Sequence, residues 1–176
     1  MRIEREQAIA VVVDYQEKLL PVMHEKDQLM HNSCILLEGL KALDVPMVIT
    51  QQYTKGLGMT SEAIFEAVGT TEYIDKIAFT AFDAVKWKLR GKKFVIVCGI
   101  ESHICVLQTV IDLKAAGYVP VLVADCVSSR KESDKQVALE RARQEGAIVT
   151  TYESLLFELL KVAGTDTSKT IQKLIR

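Results

Sequence analysis

Residues 8–13 (Ala-Ile-Ala-Val-Val-Val) form an unbroken, largely β-branched apolar run that stops at Asp14. A strand with no polar face cannot face water on either side. It belongs in the interior of a sheet that helices cover on both faces. Similar runs recur at residues 45–50, 94–98 and 119–124, more weakly at 147–150, and residues 73–77 are a candidate sixth. Between them lie stretches with helical spacing: Leu29, Ile35, Leu36, Leu40 and Leu43; then Ile104, Leu107, Val110, Ile111 and Leu113; then Val137, Leu139 and Ala142. Gly117 and Gly146 each follow such a stretch, where a helix ends well on a left-handed residue. Ser133 with Gln136 three positions on reads as a capping box. Strand and helix alternating through short links predict right-handed βαβ units. The expected fold is α/β, a three-layer Rossmann-like sandwich. Its central sheet should be mostly parallel, with about five or six strands and helices on both faces, as one domain over residues 1–176.

Composition bounds what such a chain can do. At 49% hydrophobic residues, with 3 prolines and 9 glycines, there is material for a core and no sign of a disordered segment. Lys plus Arg (22) nearly balance Asp plus Glu (23), so no global field draws nucleic acid or an anionic membrane, and neither is expected as a partner. The first residues, Met1-Arg2-Ile3-Glu4-Arg5-Glu6, have neither the apolar run of a secretory signal nor the character of a transit peptide. The four cysteines (34, 98, 105, 126) stand singly, as free thiols in a reducing compartment would. A cytoplasmic location is the expectation.

Strands of a parallel sheet all point the same way, so the residues just after them meet on one rim. Asp14, Lys76 and the segment Gly99 to Cys105 are delivered to that rim from distant parts of the chain. Cys105 would open a helix, where backbone N–H groups and the dipole lower a thiol pKa. With a carboxylate to move its proton it has the parts for covalent acyl transfer. By spacing alone Cys105 is either that nucleophile or a small buried hydrophobe, and Asp14 either its base or a turn cap. Cys34, Cys98 and Cys126 read as packing residues. His103, two positions before Cys105, has the wrong spacing to face it on a helix and suits a supporting role. The irregular stretch at residues 51–61 is the longest and should contribute ligand contacts.

Val12-Val13-Asp14-Tyr15-Gln16, Lys76-Ile77-Ala78-Phe79-Thr80-Ala81-Phe82, Gly99-Ile100-Glu101-Ser102-His103-Ile104-Cys105-Val106 and Asp125-Cys126-Val127-Ser128-Ser129-Arg130, in this order and spacing, resemble the isochorismatase-like hydrolase superfamily. The stretch from Thr50 to Gly58 resembles the small isochorismatase domain-containing branch. The resemblance implies an Asp–Lys–Cys triad of Asp14, Lys76 and Cys105. It also implies a cis peptide at Ile100–Glu101 that turns backbone N–H groups, including that of Cys105, toward an oxyanion, and substrate contacts from Gln52, Tyr53 and Phe82. Nicotinamidases of the superfamily bind a metal through an Asp-x-His pair after the second strand. Here that place reads Gln51-Gln52-Tyr53, and His24, His31 and His103 make no ligand set with it, so neither metal nor organic cofactor is expected. True isochorismatases do not rely on a cysteine at this position. The expected activity is therefore cysteine-dependent hydrolysis of a small amide-type C–N substrate through a thioester. The alternative is a non-catalytic oligomeric binding or scaffold member. Members it resembles are commonly dimers or larger. Phe65, Val68, Ile171, Leu174 and Ile175 could cover a neighbouring subunit or pack within their own.

Overall fold

Along β1 (Ala8–Val13) the side chains divide by parity, as the two-residue repeat of a strand requires. Ala8, Ala10 and Val12 enter one buried cluster, and Ile9, Val11 and Val13 enter another on the opposite face. All six residues are fully buried, which accounts for the absence of a polar alternation in the sequence. The computed structural model describes residues 1–176. From β1 the chain continues through α1 (Lys26–Ala42), β2 (Met47–Gln52), α2 (Thr54–Leu57), α3 (Glu62–Val68), β3 (Ile74–Lys76), α4 (Phe82–Val85) and β4 (Phe94–Ile100). A π-helical turn (Ser102–Val106) leads into α5 (Leu107–Ala115), followed by β5 (Val119–Ser128), α6 (Glu132–Gln144), β6 (Ile148–Thr150), α7 (Tyr152–Leu160) and α8 (Asp166–Ile175).

The six strands form one all-parallel sheet in the order β3-β2-β1-β4-β5-β6. This is the doubly wound Rossmann-like arrangement, and the order reverses beside β1, where such sheets open a crevice at their carboxyl ends. Apolar residues of α1, α3, α7 and α8 cover one face, and those of α4, α5 and α6 the other. Gly117 and Gly146 both adopt positive φ just past α5 and α6. No helix is long and apolar enough to cross a membrane.

Two expectations need correction, and a third, left open, is decided. Residues 51–61 are not one long loop: Gln51 and Gln52 end β2, and α2 follows within the segment. Ser133 is no cap, because α6 begins a residue earlier with Lys131 at its N-cap position and no side-chain bond there. Glu132 and Asp134 in its first turn instead complement the dipole. The apolar residues of α3 and the tail are used within the chain. Val68 and Ile171 are buried, and Phe65, Leu174 and Ile175 pack against the same cluster as α1 and α7.

Candidate active site

The carboxyl ends of β1 and β4 approach each other unusually closely. A Cβ on Gly99 would lie 2.0 Å from the carbonyl oxygen of Val13, and its φ is +130°, so only glycine fits. One residue on from Val13, Asp14 turns the chain with φ +53°, a conformation that aspartate tolerates better than most residues. Its side chain is buried. Thr50 Oγ1, at the end of β2, donates to Asp14 Oδ1 at 2.8 Å. Lys76 Nζ, at the end of β3, stands 2.8 Å from Oδ2, and both side chains are essentially inaccessible to solvent. Oδ2 has no other partner and no well-directed hydrogen bond, which leaves an acceptor position open.

Lys76 is itself surrounded by acceptors. Its ammonium donates to Gln52 Oε1 (2.6 Å) and to the carbonyl oxygens of Phe79 (2.8 Å) and Ala78 (3.2 Å). An ammonium has three protons, and Asp14 is a fourth partner. Lys76 is therefore fixed in place and fully engaged. The Gln52 amide nitrogen donates to Ile77 O at 2.7 Å, so both ends of that side chain bind the β3 segment. Gln16 holds Gln52 from the other side, its amide accepting from Gln52 N (2.6 Å) and donating to Gln52 O (2.9 Å) and Gly58 O (2.8 Å).

After β4 the Ile100–Glu101 peptide is cis. Glu101 O then accepts from Ile104 N and, five residues on, from Val106 N, which makes the turn carrying Cys105 π-helical; such turns are frequent at functional sites. The Glu101 N–H makes no hydrogen bond within the chain. Three contacts hold this turn from outside. Glu101 Oε2 accepts from Arg130 N (3.0 Å) and Nε (3.1 Å), and His103 Nδ1 meets Ser129 Oγ at 2.9 Å. On its far side Thr109 Oγ1 donates to Cys105 O (2.6 Å) and accepts from Ala81 N (2.8 Å), tying the turn to the start of α4.

Asp14, Lys76 and Cys105 are thus gathered closely enough that the proton affinities of Asp14 and Cys105 respond to each other and to the Lys76 charge. Burial raises the Asp14 carboxyl above the usual carboxylate range, opposed by Lys76. The Cys105 thiol is pushed up to about 12, first by burial and then by the Asp14 charge, with Lys76 pulling the other way. The expectation of a lowered thiol pKa is therefore wrong for the free site. Desolvation and a neighbouring carboxylate outweigh the helix terminus, and the resting thiol keeps its proton.

The expected substrate contacts divide. Gln52 is spent on holding Lys76 and Ile77. Phe82 is half-buried against Tyr118, ring centres 6.3 Å apart edge to face, and packs with the cluster that holds Val11 and Val13. Tyr53 alone of the three is exposed, at left-handed φ, beside Ile77 and Phe79 in being a large apolar side chain open to solvent. The sequence reading missed Gln16, Thr50, Thr109 and Arg130. Gln16 and Arg130 lay inside the motifs, and Thr50 stood at a strand end on the rim, so position was the available signal. Nowhere in the structure are three or more His, Cys, Asp or Glu side chains grouped to hold a metal ion.

An open parallel sheet with acid, lysine and cysteine converging at its carboxyl edge defines a doubly wound, Rossmann-like α/β protein, and the comparisons with known proteins agree with it. The Isochorismatase domain family matches residues 8–154. The chain belongs to that family. It is 36% identical over 178 residues to isochorismatase domain-containing protein 2A of Mus musculus, covering 99% of this chain and 85% of that protein. It is 35% identical over 177 residues to the secreted isochorismatase effector Isc1 of Phytophthora sojae, covering 96% and 84%. Among solved structures, the MAR1 ribonuclease of Caenorhabditis elegans superposes with a TM-score of 0.93 at 34% identity, covering 99% of this chain and 92% of that one.

Proposed function

We propose that the protein is a cysteine hydrolase of small amide-type C–N substrates, working through a covalent thioester. The observation that carries the reading is the buried Asp14–Lys76 pair, whose Oδ2 has an acceptor position unfilled, close enough to Cys105 that the Asp14 charge raises the thiol's proton affinity. In this mechanism Cys105 Sγ attacks the carbonyl carbon as its proton passes to Asp14. The negative charge moves to the former carbonyl oxygen, to which the N–H groups of Glu101 and Cys105 donate, with Ile100 preceding them in the turn. Asp14 then returns the proton to the departing nitrogen, and the C–N bond breaks. A water, deprotonated by Asp14, cleaves the thioester and restores the thiol. Lys76 supplies fixed positive charge that favours ionised Asp14 and the transient thiolate, and all its protons are already engaged. The reaction takes neither metal nor organic cofactor, and the chain acts as one domain in the cytoplasm as a homo-oligomer.

One observation favours the alternative of a non-catalytic binding member: a thiol held protonated to about 12 and nearly closed off from solvent is a poor nucleophile until a ligand displaces water around it. Single-turnover assays with a panel of small amides and carbamoyl compounds decide. A mass shift on Cys105 matching the acyl group, absent in Cys105→Ala, supports the hydrolase. No adduct and no turnover across the panel overturns it. Because the nematode relative is named a ribonuclease, an RNA oligomer belongs in the same panel, and its cleavage without any acyl adduct would replace this reading.

A further inference from the structure

In the sheet, β2 and β1 stand between β3 and β4. Lys76 closes β3 and Cys105 follows β4, so strand pairing alone does not set the distance between ammonium and thiol. β3 is only three residues long and pairs with β2 alone. Past Lys76 the chain folds back on it, placing the carbonyls of Ala78 and Phe79 against Nζ, and then runs through Ala81 into α4. Some contact must join this wrapping segment to the turn that carries Cys105.

Thr109 supplies it. Its hydroxyl donates its one proton to Cys105 O at 2.6 Å and accepts from Ala81 N at 2.8 Å. No other hydrogen bond joins residues 77–85 to the turn or to α5. The remaining contacts are apolar, with Ala81 and Val85 in the same cluster as Cys105, Val106 and Val110. Thr109 is fully buried, and the other buried residues of α5, Val110 and Leu113, are apolar. A threonine often bonds the carbonyl four residues back in its own helix, and that bond alone would call for no further role. The second bond, to a different element, is one that a valine of the same shape could not make.

We propose that Thr109 is a positioning residue for Cys105, fixing the thiol's separation from the Asp14–Lys76 pair by tying its turn to the segment that wraps Lys76. It touches neither substrate nor reacting atoms. Charges in a dry site interact steeply with distance, and a displacement of about 1 Å can cost about a hundredfold in rate. A turn freed from α4 also lets water reach the thiol, whose burial is the first cause of its raised proton affinity. The consequence for turnover rests on the hydrolase reading, and the consequence for the thiol does not.

The test compares Thr109→Val, which removes both bonds, with Thr109→Ser, which keeps the hydroxyl, and Val110→Ala, which trims the neighbouring core residue and spares it. Thr109→Ala is read in the same way as Thr109→Val, should the latter not fold. Iodoacetamide labelling at about pH 8 is followed thiol by thiol by mass spectrometry, with buried Cys98 reporting any general opening. Thr109→Val should label at Cys105 about tenfold faster than wild type while Cys98 stays unlabelled, and the other two variants should stay within about twofold. For an amide that the wild type hydrolyses, Thr109→Val should lower kcat about tenfold or more with KM within about twofold, and Thr109→Ser should restore it. A Cys105 rate unchanged or slower, an unchanged kcat, an equal effect of Val110→Ala, failure of serine to rescue, or Cys98 labelled in step with Cys105 overturns the inference. The expected labelling with no turnover by the wild type overturns the hydrolase reading instead and leaves the positioning of the thiol standing.

Discussion

Cys98 and Cys105 are both buried, lie on opposite faces of the sheet, and have thiols pushed up to about 12. For Cys98 burial is the dominant cause, eased by a bond with Tyr15, whose hydroxyl also meets Ser33 Oγ and donates to Cys126 O at 2.7 Å. For Cys105 burial is joined by the Asp14 charge and opposed by Lys76. The same direction of shift with unequal neighbours teaches that a raised thiol pKa does not identify a nucleophile. What distinguishes Cys105 is the charged pair beside it, Asp14 and Lys76, and its place in a π-helical turn at the carboxyl edge of the sheet. Cys98 has only apolar packing and a phenol.

The sharpest way to break that distinction is to delete each thiol. Cys105→Ala should lower kcat/KM for any amide the protein hydrolyses by about 10³-fold or more, whereas Cys98→Ala should leave it within a few-fold and cost about 1 kcal/mol of stability from the cavity. Comparable losses of activity in both variants would erase the comparison. Lys76→Met leaves Asp14 buried without its partner and should cost about 3–5 kcal/mol by urea denaturation. A cost below about 1 kcal/mol would mean that the pair is solvated. Lys76→Met combined with Asp14→Asn should recover part of the loss.

Alkylation tests the thiol itself. With the Cys105 value near 12, its iodoacetamide rate in the free protein should climb about tenfold per pH unit between pH 8 and 10, without a plateau. A plateau near 8.5 would show an activated resting thiolate. The same shift sets a sign for stability. The folded state holds these protons more tightly than the unfolded one, so stability present below an ordinary thiol value of 9.0 is lost as pH rises toward about 12. The smallest effect separates two roles for Gln52. If it positions Lys76, Gln52→Leu should lower kcat about tenfold with KM nearly unchanged. A raised KM with unchanged kcat would return it to substrate binding.

The strands were legible because a fully buried parallel strand has no polar residues to interrupt it, and their order of appearance fixed which residues reach the rim. Asp14, Lys76 and Cys105 followed from position and family resemblance. The role of Gln52 was not legible. A glutamine beside a loop looks like a ligand contact until Ile77 O and Lys76 Nζ, brought alongside by β3, occupy both ends of its amide. The cap of α6 was misplaced because Ser and Gln at the capping-box spacing also occur within the first turns of a helix, where Ser133 and Gln136 lie.

By itself the sequence determined the architecture and the membership of the rim, since hydrophobic periodicity and chain order act locally and are written in residue types. Only the tertiary structure decided the direction in which the Cys105 thiol is shifted and the saturation of Lys76. Each depends on distances of a few ångströms between residues far apart in the chain, and on how much water their burial excludes. Desolvation and short-range electrostatics are set by the packed surroundings, so neither can be read from a residue and its sequence neighbours.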